Sequence, residues 1–226
     1  GVALSLYSLG YARGYYGRKS VGVLGAFFNV LLLATTLVFL ADNAFFFLMV
    51  WEIMALTAYC LVSFEHEHEE TRNAGVLYFV MSHIGTGCIM LGFLLLFQAS
   101  GSYGFDTFRD LGDSMRPGQR NAAFLLFLFG FGVKAGIVPL HIWLPAAHPV
   151  APSNVSALMS GVIIKTGIYG MTRVFFDFLG TPPNWWGVTV LAIGTISAVL
   201  GVLYALMEHD LKRLLAYHSI ENIGII

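Results

Sequence analysis

The chain has 226 residues, 57% hydrophobic and 11% charged, with a mean hydropathy of +0.75 and a formal net charge of −1. Soluble domains carry about 25% charged residues, so the composition argues against a water-soluble globule. The balanced charge offers no basic footprint for nucleic acid.

The apolar residues fall into six long blocks, residues 21–41, 44–64, 74–99, 122–138, 155–176 and 186–207. Each is close to the roughly 20 residues needed to cross a bilayer core, the fourth being the shortest. Hydrocarbon offers backbone groups no partner, so the blocks are predicted to be helices. Residues 1–9 read as the end of a further helix, and residues 210–226 enter another apolar segment. The expectation is an all-α, multi-pass membrane protein with about six complete and two partial transmembrane helices, part of a longer protein.

The connections are mostly short. Residues 65–72 form a charged link, and residues 100–120 form the longest polar loop, where Phe105, Phe108 and Leu111 have the spacing of a short interfacial helix. Thr181 to Asn184 make a turn, and Trp185 and Trp186 follow at the expected membrane interface. Arg13, Arg18, Lys19, Arg72, Lys212 and Arg213 fall on one side; Arg109, Arg116, Arg120 and Arg173 fall on the other. The larger set is expected to be cytoplasmic.

The fourth block cannot continue as a regular helix. Pro139 lacks a backbone donor, its ring opposes the carbonyl of Ala135, and Pro145, Pro149 and Pro152 follow. The stretch nevertheless holds Leu140, Ile142, Trp143 and Leu144. Such non-helical backbone is tolerated where it is buried in protein or lines water, and broken helices recur at ion sites. A helix break is therefore expected at Pro139.

Most charges lie in loops or at span ends, but Glu52, Lys134 and Lys165 do not. A central charge costs about 2.5–3.5 kcal/mol on insertion scales. An ion pair that only locks helices would leave the second lysine unexplained. A lysine can also change charge state, since burial and a nearby carboxylate push it in opposite directions, whereas an arginine cannot. The three residues are therefore read as a proton path, with His83, His141, His148 and His218 as candidate relay residues. Glycines near both lysines suit close helix approach. Cys60 and Cys88 lack metal-ligand spacing, no Cys-x-x-Cys pair exists, and His66 and His68 lie in a charged loop. No metal or cofactor is expected in this chain.

Three motifs carry a family resemblance: Trp-Glu-Ile-Met-Ala-Leu at 51–56, Phe-Gly-Val-Lys-Ala-Gly-Ile-Val-Pro-Leu-His-Ile-Trp-Leu-Pro at 131–145, and Ala-Pro-Ser-Asn-Val-Ser-Ala-Leu at 151–158. With Asp-Leu-Lys-Arg-Leu-Leu-Ala-Tyr-His-Ser at 210–219, the chain resembles the antiporter-like membrane subunits of respiratory complex I, Mrp antiporters and membrane-bound hydrogenases. The charged link and residues 161–167 look most like the large membrane subunit of hydrogenase-4 and formate hydrogenlyase. The resemblance implies two inverted five-helix repeats. Residues 1–19 would end a preceding helix, residues 20–176 would form the first repeat, and residues 177–226 would begin the second. It implies a Glu52–Lys134 pair with Lys165 as the connecting lysine. It also implies a proton-translocating subunit of a prokaryotic inner-membrane redox complex, of hydrogenase or NADH:quinone oxidoreductase type. Its partners would be other membrane subunits and hydrophilic subunits with iron–sulfur and nickel–iron centres. An Mrp-type Na⁺/H⁺ antiporter subunit and a non-conducting anchor are the alternatives.

Overall fold

The computed structural model describes residues 1–111 and 114–226, and it is helical almost throughout. Helix α1 (Val2–Tyr11) runs through a 3₁₀ turn into α2 (Val21–Leu40). Helix α3 (Ala44–Val62) starts at Asn43, whose side chain accepts from the amides of Phe45 and Phe46, as N-caps do. Helix α4 (Glu69–Ser100) ends at Gly101, which has φ 74°. Helix α5 (Phe105–Leu111) leads to α6 (Pro117–Ala135), which has proline in its first turn. Helices α7 (Trp143–Val150), α8 (Ser153–Leu158) and α9 (Ile164–Thr172) follow. A π-helical turn, Met159–Ile163, joins α8 to α9, and a second, Arg173–Phe178, ends that span. Helices α10 (Asn184–Met207) and α11 (Leu211–Ile225) complete the described chain.

Among the described residues, five helical stretches are long and apolar enough to cross a membrane: Val21–Leu40, Ala44–Glu65, Glu69–Ser100, Ser153–Phe178 and Asn184–Met207. The protein is a multi-pass membrane protein. Helix α6 occupies the remaining expected position and is less apolar, because Gln119, Arg120, Asn121 and Lys134 lie in it. It is the interior helix, buried from Gly130 to Ala135 and packed against α4 and α9.

Two boundaries differ from expectation. Helix α4 begins at Glu69, five residues before the apolar block, because Glu69 and Glu70 suit the first turn of a helix. The break begins at Gly136, three residues before Pro139. Gly136 takes φ 77° and donates back to Gly132 O, so the chain has left the helix before the proline ring would meet the Ala135 carbonyl. Helix α5 forms where the spacing of Phe105, Phe108 and Leu111 predicts one, and its Phe105 and Phe108 are buried, packed on the Phe178 ring at 4.9 and 5.5 Å.

Glycine sets the spacing of the interior helices. A Cβ at Gly130 of α6 would lie 2.6 Å from Gly85 O of α4, and one at Gly167 of α9 would lie 2.7 Å from Phe131 O. Backbones at that distance exclude any side chain.

Candidate functional site

Lys134 occupies the last turn of α6 and is 2% exposed. Its Nζ donates to the Tyr78 hydroxyl of α4 at 2.8 Å. The same ammonium lies 5.8 Å from the Trp51 ring centroid, so a π face shares its charge. The helix stops one residue later, which leaves carbonyls unpaired. Trp143 Nε1 satisfies one of them, donating to Val133 O at 2.8 Å. The Trp143 ring also meets the Tyr78 ring edge-on at 5.1 Å. The break therefore builds the wall of the lysine site.

The rest of the break is held from the helices that follow it. Val138 N donates to Ser197 Oγ of α10 at 2.9 Å. Lys212 Nζ of α11 donates to Pro149 O at 3.1 Å and Ala151 O at 2.8 Å, a cation at the C-terminal end of α7. His148 of α7 is buried, with Nδ1 2.9 Å from Ser156 Oγ. His148 Nε2 and His141 Nδ1 are buried atoms with no hydrogen-bond partner.

The resemblance pairs Glu52 with Lys134, but here each has its own neighbour. Glu52 Oε2 lies 3.3 Å from His83 Nε2 of α4. Glu52 Oε1 is buried without a partner. Among the described residues, no ion pair joins Glu52 to Lys134. Lys165 of α9 donates to Ser160 O at 2.7 Å, a carbonyl of the π-turn in its own span. Ser160 Oγ and Ser219 Oγ of α11 are 2.7 Å apart. His218 Nδ1 meets Glu221 Oε2 at 2.6 Å on α11.

Tyr78 and Lys212 were not among the residues expected here. Tyr78 had one signal, a phenol inside an apolar span, whose hydroxyl needs a partner once buried. Lys212 read only as a topological charge. His66 lies in the exposed link, its ring 4.0 Å from Glu67.

Such a fold and site define a class: polytopic helical membrane proteins with ionisable groups around a discontinuous helix. The chain belongs to the family described as "NADH:quinone oxidoreductase/Mrp antiporter, TM", which matches residues 41–226. It is 50% identical to hydrogenase-4 component B of Escherichia coli (strain K12), over all of this chain and 33% of that protein. It is 38% identical to formate hydrogenlyase subunit 3 of the same organism, over all of this chain and 35% of that protein. The chain thus spans about a third of the length of these relatives. Its fold matches a chain in the structure of the membrane-bound sulfane sulfur reductase, an archaeal respiratory membrane complex. That match has TM-score 0.84 and 27% identity over 98% of this chain and 46% of the other. A chain of the Mrp complex from Dietzia sp. DQ12-45-1b shares the fold at TM-score 0.76 and 22% identity, over 87% of this chain and 37% of the other.

Proposed function

We propose that the protein is a proton-translocating membrane subunit of a complex I-like redox complex, of the hydrogenase-4 and formate hydrogenlyase kind, in a prokaryotic inner membrane. Electron transfer would take place in partner subunits that hold iron–sulfur and nickel–iron centres. Family membership and the two Escherichia coli relatives support the type of complex. The observation that carries proton movement is the setting of Lys134. Its ammonium is buried and held by the Tyr78 hydroxyl and the Trp51 ring, so it can give up a proton and remain as a neutral amine without stranding a carboxylate. Glu52 lies on the neighbouring α3, able to favour the charged form when it approaches. Lys165 is the onward acceptor, and the four histidines are candidate relays.

The test uses the full-length protein in its assembled complex, reconstituted in vesicles. Lys134→Ala is expected to lower proton uptake about a hundredfold, the scale of a lost proton-transfer group, while electron transfer to a soluble acceptor continues. Unchanged uptake would leave the protein a non-conducting anchor. Uptake that depends on external sodium would favour the Mrp-type exchange reaction.

A further inference from the structure

The contact between Glu52 and His83 determines where one proton must sit. His83 Nδ1 lies 2.9 Å from Phe79 O. A carbonyl oxygen only accepts, so Nδ1 carries a hydrogen. In a neutral ring Nε2 then presents its lone pair. Yet Nε2 faces Glu52 Oε2 at 3.3 Å, and an ionised carboxylate is also acceptor-only. Two acceptors at that distance repel, and a membrane interior screens them little. The ring cannot easily turn away. It lies on Phe79 at 4.0 Å, and Phe79 in turn packs on Tyr59 at 5.1 Å.

Among the described residues, no other donor is in hydrogen-bond contact with the Glu52 carboxylate. Lys134 and Tyr78 are engaged with each other, His148 with Ser156, and Lys165 with Ser160 O. One additional proton, on Nε2 or on Oε2, resolves the clash.

From this geometry we infer that Glu52 and His83 form one proton-binding site, with a single proton held between the carboxylate and the imidazole. With the proton on Nε2, an imidazolium faces a carboxylate. With it on Oε2, a neutral ring faces a neutral acid. Passage between the two breaks one N–H bond, forms one O–H bond and leaves the net charge unchanged. Release of the proton to an acceptor leaves the pair with a charge of −1. Glu52 Oε1, buried and without a partner, is then the atom that recruits a new cationic donor. The site's part in transport rests on the function proposed above, whereas the shared proton rests on the contact alone.

The test is infrared difference spectroscopy of the full-length protein in lipid across pH, with Glu52→Gln identifying the carboxyl band. In the unaltered protein, the carboxyl and imidazole bands are expected to change together with one midpoint. His83→Gln offers an amide hydrogen to Glu52 but cannot carry a proton. It should move the carboxyl midpoint by about one pH unit or more. His83→Asn keeps a donor for Phe79 O without reaching Glu52 and should do the same, so the result does not hang on one variant. Bands that titrate independently in the unaltered protein, or a midpoint unmoved in both variants, would overturn the shared site. Proton uptake by the assembled complex is read in parallel. Coupled bands with uptake unaffected by either variant would keep the site and remove it from the path. Independent bands with uptake lost in both variants would discard the shared site and keep His83 in the path.

Discussion

Lys134 and Lys165 are both ammonium groups inside apolar helices, yet they are held in opposite ways. Lys134 depends on other helices: the Tyr78 hydroxyl from α4, the Trp51 face from α3, and a wall made by Trp143 beyond the break. Lys165 depends on its own span, donating to a carbonyl of the π-turn five residues back. The first site exists only while four segments stay packed. The second travels with its helix. In the proposed path, a relay between them would have one end tunable by tertiary movement and one end fixed by local backbone, where π-turns often mark function.

The comparison breaks most readily at the packing that holds the two lysines together. Gly167→Val would push a side chain against Phe131 O and Ala135 N, both backbone atoms. We expect a loss of about 3 kcal/mol, read as a lower melting temperature of the protein in detergent and poor assembly. Gly161→Val, where nothing lies within 4 Å, is the near-neutral control. Next is Tyr78→Phe, which removes a hydrogen bond to a charged group worth about 1.5–3 kcal/mol. It should impair proton uptake in the assembled complex, because Lys134 loses its acceptor. Ser160→Ala sharpens the contrast. It deletes the hydroxyl contact with Ser219 but leaves the carbonyl that Lys165 uses. The expected cost is about 1 kcal/mol in thermal unfolding, with uptake unchanged. An equal loss of uptake in Tyr78→Phe and Ser160→Ala would erase the distinction.

The smallest effect is expected outside the membrane. Lys19 hydrogen-bonds Glu67 and holds its carboxyl below the ordinary value of 4.5. That contribution is present above the ordinary value and is lost as pH falls through the lowered one. Lys19→Ala should thus lower the melting temperature slightly at neutral pH and by less in strong acid, where only its contacts with the Phe64 carbonyl and ring remain to be lost. Glu67 is fully exposed, so screening keeps the effect small.

The helices were legible because hydrocarbon imposes both length and backbone satisfaction. Their ends were less so. The start of α4 lay among glutamates that resemble loop but suit a helix N-terminus. The break was legible through Pro139, although Gly136 sets its first residue. Nothing in the sequence distinguished Met159–Ile163 as a π-turn, since that depends on which carbonyl each amide selects. Charge burial singled out Glu52, Lys134 and Lys165. Their partners were not legible, because helix rotation decides which residues of two apolar spans meet. His83 was identified for its chemistry, but its apposition to Glu52 is a property of packing. Tyr78 passed as bulk among aromatic neighbours.

The two hydrogen-bonded anchors on the break have a mechanical consequence. Ser197 grips its first half at Val138, and Lys212 grips the end of α7 at Pro149 and Ala151. These anchors stand on α10 and α11, whose backbones approach closely at Gly194, Gly201 and Gly224. The pair thus works like a two-jawed clamp across the interruption. A displacement of the pair as one body would pull on both ends of the same short segment. Trp143, the wall of the Lys134 pocket, lies between the jaws.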